Sequence, residues 1–115
     1  MDVFVKANEL AQAIQACPEY VALLAAGKKL AEDQKTEKMV REFLLTQAEL
    51  AYAQSMGDKP IKKKLETMNR LAAIIKTRSG AVEYLAAYNA WQAKAGEIYQ
   101  IVQNAMAEGM SILDH

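Results

Sequence analysis

From Tyr84 to Ile112 the apolar residues return at alternating steps of four and three: Tyr84, Tyr88, Trp91, Ala95, Ile98, Val102, Ala105, Gly109 and Ile112. A heptad rhythm keeps one apolar seam in register along a helix, whereas a strand turns every second side chain to the opposite face. The pattern therefore predicts a helix from about residue 80 to 113, with Ser79 as its cap. At about 1.5 Å per residue that helix is roughly 50 Å long. A compact bundle built from 115 residues has little use for such length, so the surplus points to a partner helix from a second copy or another protein.

The rest of the chain reads as helices too. Val3, Ala7, Leu10, Ile14 and Cys17 lie along one face of a first helix that Asp2 can cap. Pro18 suits the first turn of a second helix, whose apolar stripe is Tyr20, Leu23, Leu24, Leu30 and Ala31. Asp33 is the candidate cap for a third helix, although a continuous, bent helix would also fit. Met39, Val40, Phe43, Leu44 and Leu50 occupy one side of that third helix, while Leu45, Tyr52 and Met56 form a second stripe elsewhere on it. A helix apolar on two sides is either central in a bundle or part of an interface. Gly57-Asp58-Lys59-Pro60 marks the clearest break, combining a helix-ending glycine, a capping aspartate and a first-turn proline. Ile61, Leu65, Met68, Ala72 and Ile75 then form the stripe of a fourth helix. The expected fold is all-α: one domain over residues 1–115, with about five helices in an elongated bundle and a long C-terminal helix. Much of the 52% apolar content is alanine, which brings helix axes close together while burying little area per residue.

Fourteen basic and fourteen acidic residues cancel, so the molecule as a whole has no pull toward nucleic acid or an anionic membrane. The local exception lies between Asp58 and Arg78, where seven cations accompany only Asp58 and Glu66. Lys59, Lys63 and Arg70 project opposite the apolar stripe of the fourth helix and could contact phosphates. No aromatic residues for base stacking are interleaved with them, which favours a solvated face or one paired with Glu83, Glu97 and Glu108 of the fifth helix.

Catalytic machinery is hard to find. The single histidine, His115, is the last residue. Cys17 extends an apolar stripe without a histidine nearby, so the expectation is a partly buried structural thiol. The five glycines are isolated, which leaves no phosphate loop, and no metal-ligand spacing is present. No catalytic residue, metal or cofactor is expected. The N-terminus lacks a cationic start followed by an apolar run, and polar residues interrupt every apolar stretch before ~18 residues, so a cytoplasmic chain without a membrane span is expected. Function then falls to surfaces. Candidate oligomer contacts are Leu45, Tyr52 and Met56 of the third helix with Tyr84, Tyr88, Trp91, Ile98 and Val102 of the fifth.

The run Ala7-Asn8-Glu9-Leu10-Ala11-Gln12-Ala13-Ile14, followed by Pro18-Glu19-Tyr20, Leu30, Asp33, Phe43, Gln47 and Val82-Glu83-Tyr84-Leu85, resembles the YlbF/YmcA-like family of bacterial proteins. The resemblance covers nearly the whole chain. It implies a cytoplasmic, all-helical protein of Gram-positive-type bacteria that forms homodimers, higher homo-oligomers or mixed oligomers. It further implies protein partners in a complex that directs RNase Y to particular messenger RNAs, with effects on competence, biofilm and sporulation. Some members carry iron–sulfur clusters and cysteines near the C-terminus. This chain ends Met110-Ser111-Ile112-Leu113-Asp114-His115 without one, so the likeness is to relatives lacking those cysteines.

Overall fold

The computed structural model describes residues 2–114, with side chains to residue 112; His115 lies outside the described residues. The described residues form five α-helices: α1 (Val3–Ala16), α2 (Pro18–Leu30), α3 (Gln34–Ser55), α4 (Lys62–Ile75) and α5 (Ser79–Met106). A short 3-10 turn follows at Ser111–Asp114. The expectation of an all-α chain of about five helices with a long last helix is met.

The first boundaries follow from local chemistry. Asp2 is extended, and its carboxylate accepts the Phe4 N–H at 2.9 Å, satisfying one of the orphan donors that open α1. Pro18 begins α2, where its missing N–H costs nothing. Helices α2 and α3 are separate: Asp33 caps α3, accepting from the Thr36 N–H at 3.2 Å and the Thr36 hydroxyl at 2.5 Å.

Three later boundaries differ from expectation. Asp58 does not cap α4, which starts only at Lys62 with Ile61 at its N-cap; Asp58 instead belongs to the ending of α3, its N–H donating to the Ala53 carbonyl at 2.9 Å, while Gly57 donates to Gln54 at 3.0 Å. These paired bonds form a Schellman ending, with Gly57 in the left-handed region at φ +79. Pro60 and Ile61 consequently remain outside α4, which starts at Lys62 without a side-chain cap. Ser79 is the first residue of α5 rather than its cap, because the Arg78 carbonyl already accepts from Ala81 and Val82 at 3.1 Å each. Finally, α5 ends at Met106, so Gly109 and Ile112 leave the heptad helix. Ile112 is 77% exposed, with no packing to hold another turn in register.

The chain divides into two compact units. One comprises residues 24–85 and holds the buried core: Leu30, Val40, Leu71, Ile75 and Ala81, flanked by Met39, Phe43, Leu44, Tyr84 and Leu85. Leu71, which the sequence stripe left out, is buried one turn before Ile75, whereas Ile61 precedes the helix and is exposed. Polar ties reinforce this unit. Arg78 donates to the Thr36 hydroxyl at 2.8 Å and lies 3.5 Å from Asp33, joining the α2–α3 and α4–α5 turns. Lys29 pairs with Glu83 at 3.2 Å, and Lys64 pairs with Glu49.

The other unit comprises residues 1–23 and 86–115. Its described residues include none that is buried. Tyr20 meets Trp91 edge-on with ring centroids 5.2 Å apart, and Glu19 pairs with Lys94 at 3.1 Å. Ile14, Ala95 and Ile98 are half-buried.

Candidate interaction surface

The second apolar stripe of α3 is open. Leu45, Tyr52 and Met56 are 58%, 68% and 64% exposed, although each is large enough to belong in a core. Successive seven-residue steps keep Leu45 and Tyr52 nearly in line, and Lys38 continues that line toward the start of α3. Arg41, Glu42 and Glu49 border it and are exposed. This side of α3 is an apolar strip with charged edges, the composition of an interface centre and its rim.

Beside it, Gly27, Leu30, Val40, Leu44, Leu45 and Tyr84 line an open apolar groove of about 280 Å³, with Glu37 and Arg41 at its edge. The groove lies entirely within the unit of residues 24–85. It is small for a cofactor but can accept one or two apolar side chains of a partner.

The candidate residues of α5 fall into two groups. Tyr84 packs against the buried core, Tyr88 accepts a hydrogen bond from Gln92 at 2.9 Å, and Trp91 meets Tyr20 edge-on. Ile98 is half-buried, and Val102 is 43% exposed. Thus the first three already have intramolecular work, while the distal half of α5 remains more open. Tyr99, Ile101 and Met106, which the heptad pattern passes over, are also exposed there.

The cations between Asp58 and Arg78 also divide. Lys59, Lys62, Lys63, Arg70 and Lys76 are exposed, whereas Lys64 and Arg78 pair with Glu49 and Asp33. Expected pairing with Glu83 of α5 does not form, because Glu83 is taken by Lys29 of α2.

Two acids are held below their ordinary ionisation range. For Glu19 the largest cause is its own backbone N–H at the start of α2, followed by the Lys94 ammonium. For Asp33 it is the Thr36 hydroxyl, followed by the Thr36 N–H. Lys94 is correspondingly raised, first by Glu19 and then by Cys17, which is half-buried at the α1–α2 junction. These are caps and ion pairs of ordinary helix ends. Among the described residues, no cluster of three or more histidines, cysteines or acids could hold a metal ion. No described helix is long and apolar enough to cross a membrane.

Against known proteins, a family model described as control of competence regulator ComK, YlbF/YmcA matches residues 3–107. A UPF0342 protein of Clostridium tetani is 30% identical over 112 residues, covering 96% of each chain. A UPF0342 protein of Staphylococcus saprophyticus is 28% identical over 94% of this chain and 95% of its own. Another, from Streptococcus uberis, is 23% identical over 93% of this chain and 96% of its own. The match runs from the first turn of α1 to the end of α5, and on that span the chain belongs to the YlbF/YmcA family.

Proposed function

We propose that this chain is a non-enzymatic regulatory or adaptor protein, working through helix-mediated homo- or hetero-oligomerisation in the control of RNA processing or bacterial development. The observation that carries the reading is the open strip Leu45, Tyr52 and Met56 on α3 beside an apolar groove. Large apolar side chains left in water on a rigid helix cost solubility and acquire a use when a partner covers them. The family description, which names control of a regulator, agrees with a protein that acts by contact. On this reading the chain is cytoplasmic, and its partners are proteins of an RNA-processing complex.

Affinity purification of the wild type and a Leu45→Asp, Tyr52→Asp variant, each before and after nuclease treatment, tests it. Partners that survive nuclease and are lost with the variant are expected. Identical partner sets for the two proteins would remove the α3 strip from the account.

A second reading makes the chain an RNA-binding accessory factor through Lys59, Lys63 and Arg70, which are exposed and carry no ion pair among the described ones. It requires an affinity for single-stranded RNA that falls steeply with salt and falls again in Lys63→Glu, Arg70→Glu. Partners lost on nuclease treatment would favour it over the first.

A further inference from the structure

We propose that the outward side of α3 docks an amphipathic helix of a different protein, one with acidic residues at one end and large apolar side chains along the rest. The inference rests on the reading of the chain as an adaptor and names the chemistry of its hetero-partner.

This side of α3 is graded along its length. At about 100° per residue, Lys38, Tyr52 and Met56 fall within about 20° of Leu45, and Arg41 falls about 40° away. Its first half is therefore cationic and its second half apolar, and all of these side chains are exposed. Glu42 and Glu37 lie farther round on opposite flanks, about 60° and 80° from Leu45, and Glu49 is taken by Lys64. Lys35, Lys38 and Arg41 belong to no ion pair among the described ones. Lys35 also stands in the first turn of α3, where the free N–H groups of the helix disfavour a cation. These charges do not serve the helix that carries them.

The surface is concave on both sides of Arg41. Three shallow hollows share this residue: the apolar groove, a second bordered by Ala31, Gln34, Lys35 and Lys38, and a third bordered by Lys38, Glu42, Leu45 and Glu49. All three lie within the unit of residues 24–85. Hollows in a row along a helix suit a long occupant rather than a compact ligand, and a docked helix supplies anchors at i, i+3, i+4 and i+7. One anchor enters the groove beside Gly27, Leu44 and Tyr84. Others cover Leu45, Tyr52 and Met56, while the acidic end reaches Lys38 and Arg41. From Lys38 to Met56 is about 27 Å of helix, so the docked segment is about 18 residues long.

Charge excludes a second copy of α3 as the occupant. A twofold contact of this side with itself is either antiparallel or parallel. The first lays Lys38 and Arg41 on the apolar Tyr52–Met56 end of the other copy; the second sets the cations against their own kind. Both take cations out of water without a partner, whereas an acidic end supplies one. A nucleic-acid strand would meet the cations but leave Leu45, Tyr52 and Met56 uncovered.

The test is selection on the full chain from a displayed library of helix-forming peptides of about 18 residues, apolar at every third or fourth position and randomised elsewhere among acidic, basic and neutral residues. Fluorescence anisotropy then measures the enriched peptides at low and high salt. The expected peptides carry acids grouped at one end and bind more weakly as salt rises. Lys38→Glu with Arg41→Glu is expected to weaken them at least ~10-fold at low salt and, as bait, to enrich peptides basic at that end. Leu45→Asp with Tyr52→Asp weakens them at least ~30-fold, the loss typical of interface anchors. Lys63→Glu with Arg70→Glu leaves them unchanged. Every altered residue is exposed, and circular dichroism checks that the helix content is kept. Peptides that need Leu45 and Tyr52 but show no charge preference, or that ignore the change at Lys38 and Arg41, overturn the acidic partner and leave the adaptor reading standing. Peptides that wild type and the Leu45→Asp, Tyr52→Asp variant enrich equally, or no enrichment at all, overturn the inference together with the strip on which the adaptor reading rests.

Discussion

The Lys94 ammonium lies 3.1 Å from Glu19 Oε1 and 3.2 Å from Glu19 Oε2, joining the first turn of α2 to the middle of α5 across 75 positions of sequence. Glu19 is lowered first by its own backbone N–H at the start of α2 and then by Lys94, and Lys94 is raised first by Glu19 and then by Cys17. A lowered acid stabilises the fold above its unfolded pKa and loses that contribution as pH falls through its folded value; a raised lysine stabilises below its unfolded pKa and loses it at higher pH. Glu19→Gln is expected to lower the thermal midpoint at pH 7 and to lower it less at acid pH, as the wild-type carboxyl takes up its own proton. Melting curves at the two pH values check this, and an equal loss at both would assign the effect to packing instead.

Asp33 follows the same sign. Its lowered pKa comes first from the Thr36 hydroxyl and then from the Thr36 N–H, so the cap is intact above the ordinary aspartate range, near pH 4, and fails as pH drops below it. Asp33→Ala is expected to destabilise the protein at pH 7 through loss of the cap. Asp33→Ser is expected to recover part of that loss. Urea titrations of the three proteins measure the difference.

Leu71 is 4% exposed, whereas Ile61 is 57% exposed. Leu71→Ala is expected to cost about 3 kcal/mol, from lost transfer energy and the cavity left behind. Ile61→Ala is expected to remain within about 0.5 kcal/mol of wild type. The ordering of their denaturant midpoints checks where the core of residues 24–85 lies.

Gly57 has φ +79, and a Cβ built there would meet nothing within 4 Å. The cost of Gly57→Ala is thus a backbone cost, about 1–2 kcal/mol for placing an L side chain in the left-handed region. Gly57→Asn is expected to cost less, because asparagine tolerates that region better. Equal stability of the alanine and asparagine variants would show that the ending of α3 rearranges.

What the sequence made legible divides by range. The caps at Asp2 and Asp33 and the start at Pro18 were readable because each is settled within three or four residues. Asp58 was misread because the turn-forming residues around it do not fix where the next helix starts: Asp58 joins the Schellman ending of α3, and α4 begins only at Lys62, after Ile61. The heptad spacing ran past the end of α5 because periodicity records which residues could share a face, not whether anything covers them. The same gap hid the α1 face. The stripe from Val3 to Ile14 has the spacing of a core helix, and only the exposure of Val3 and Leu10 shows that its covering is incomplete. In contrast, the strip Leu45, Tyr52 and Met56 was readable from the start, because one helix cannot turn both of its apolar sides toward one core.

The most direct test of the central claim, that this chain acts through helix-to-helix association, is sedimentation of the unaltered protein over a concentration series. The account predicts a reversible shift from 12.7 kDa toward twice that mass. A single species at 12.7 kDa across the whole series would contradict it.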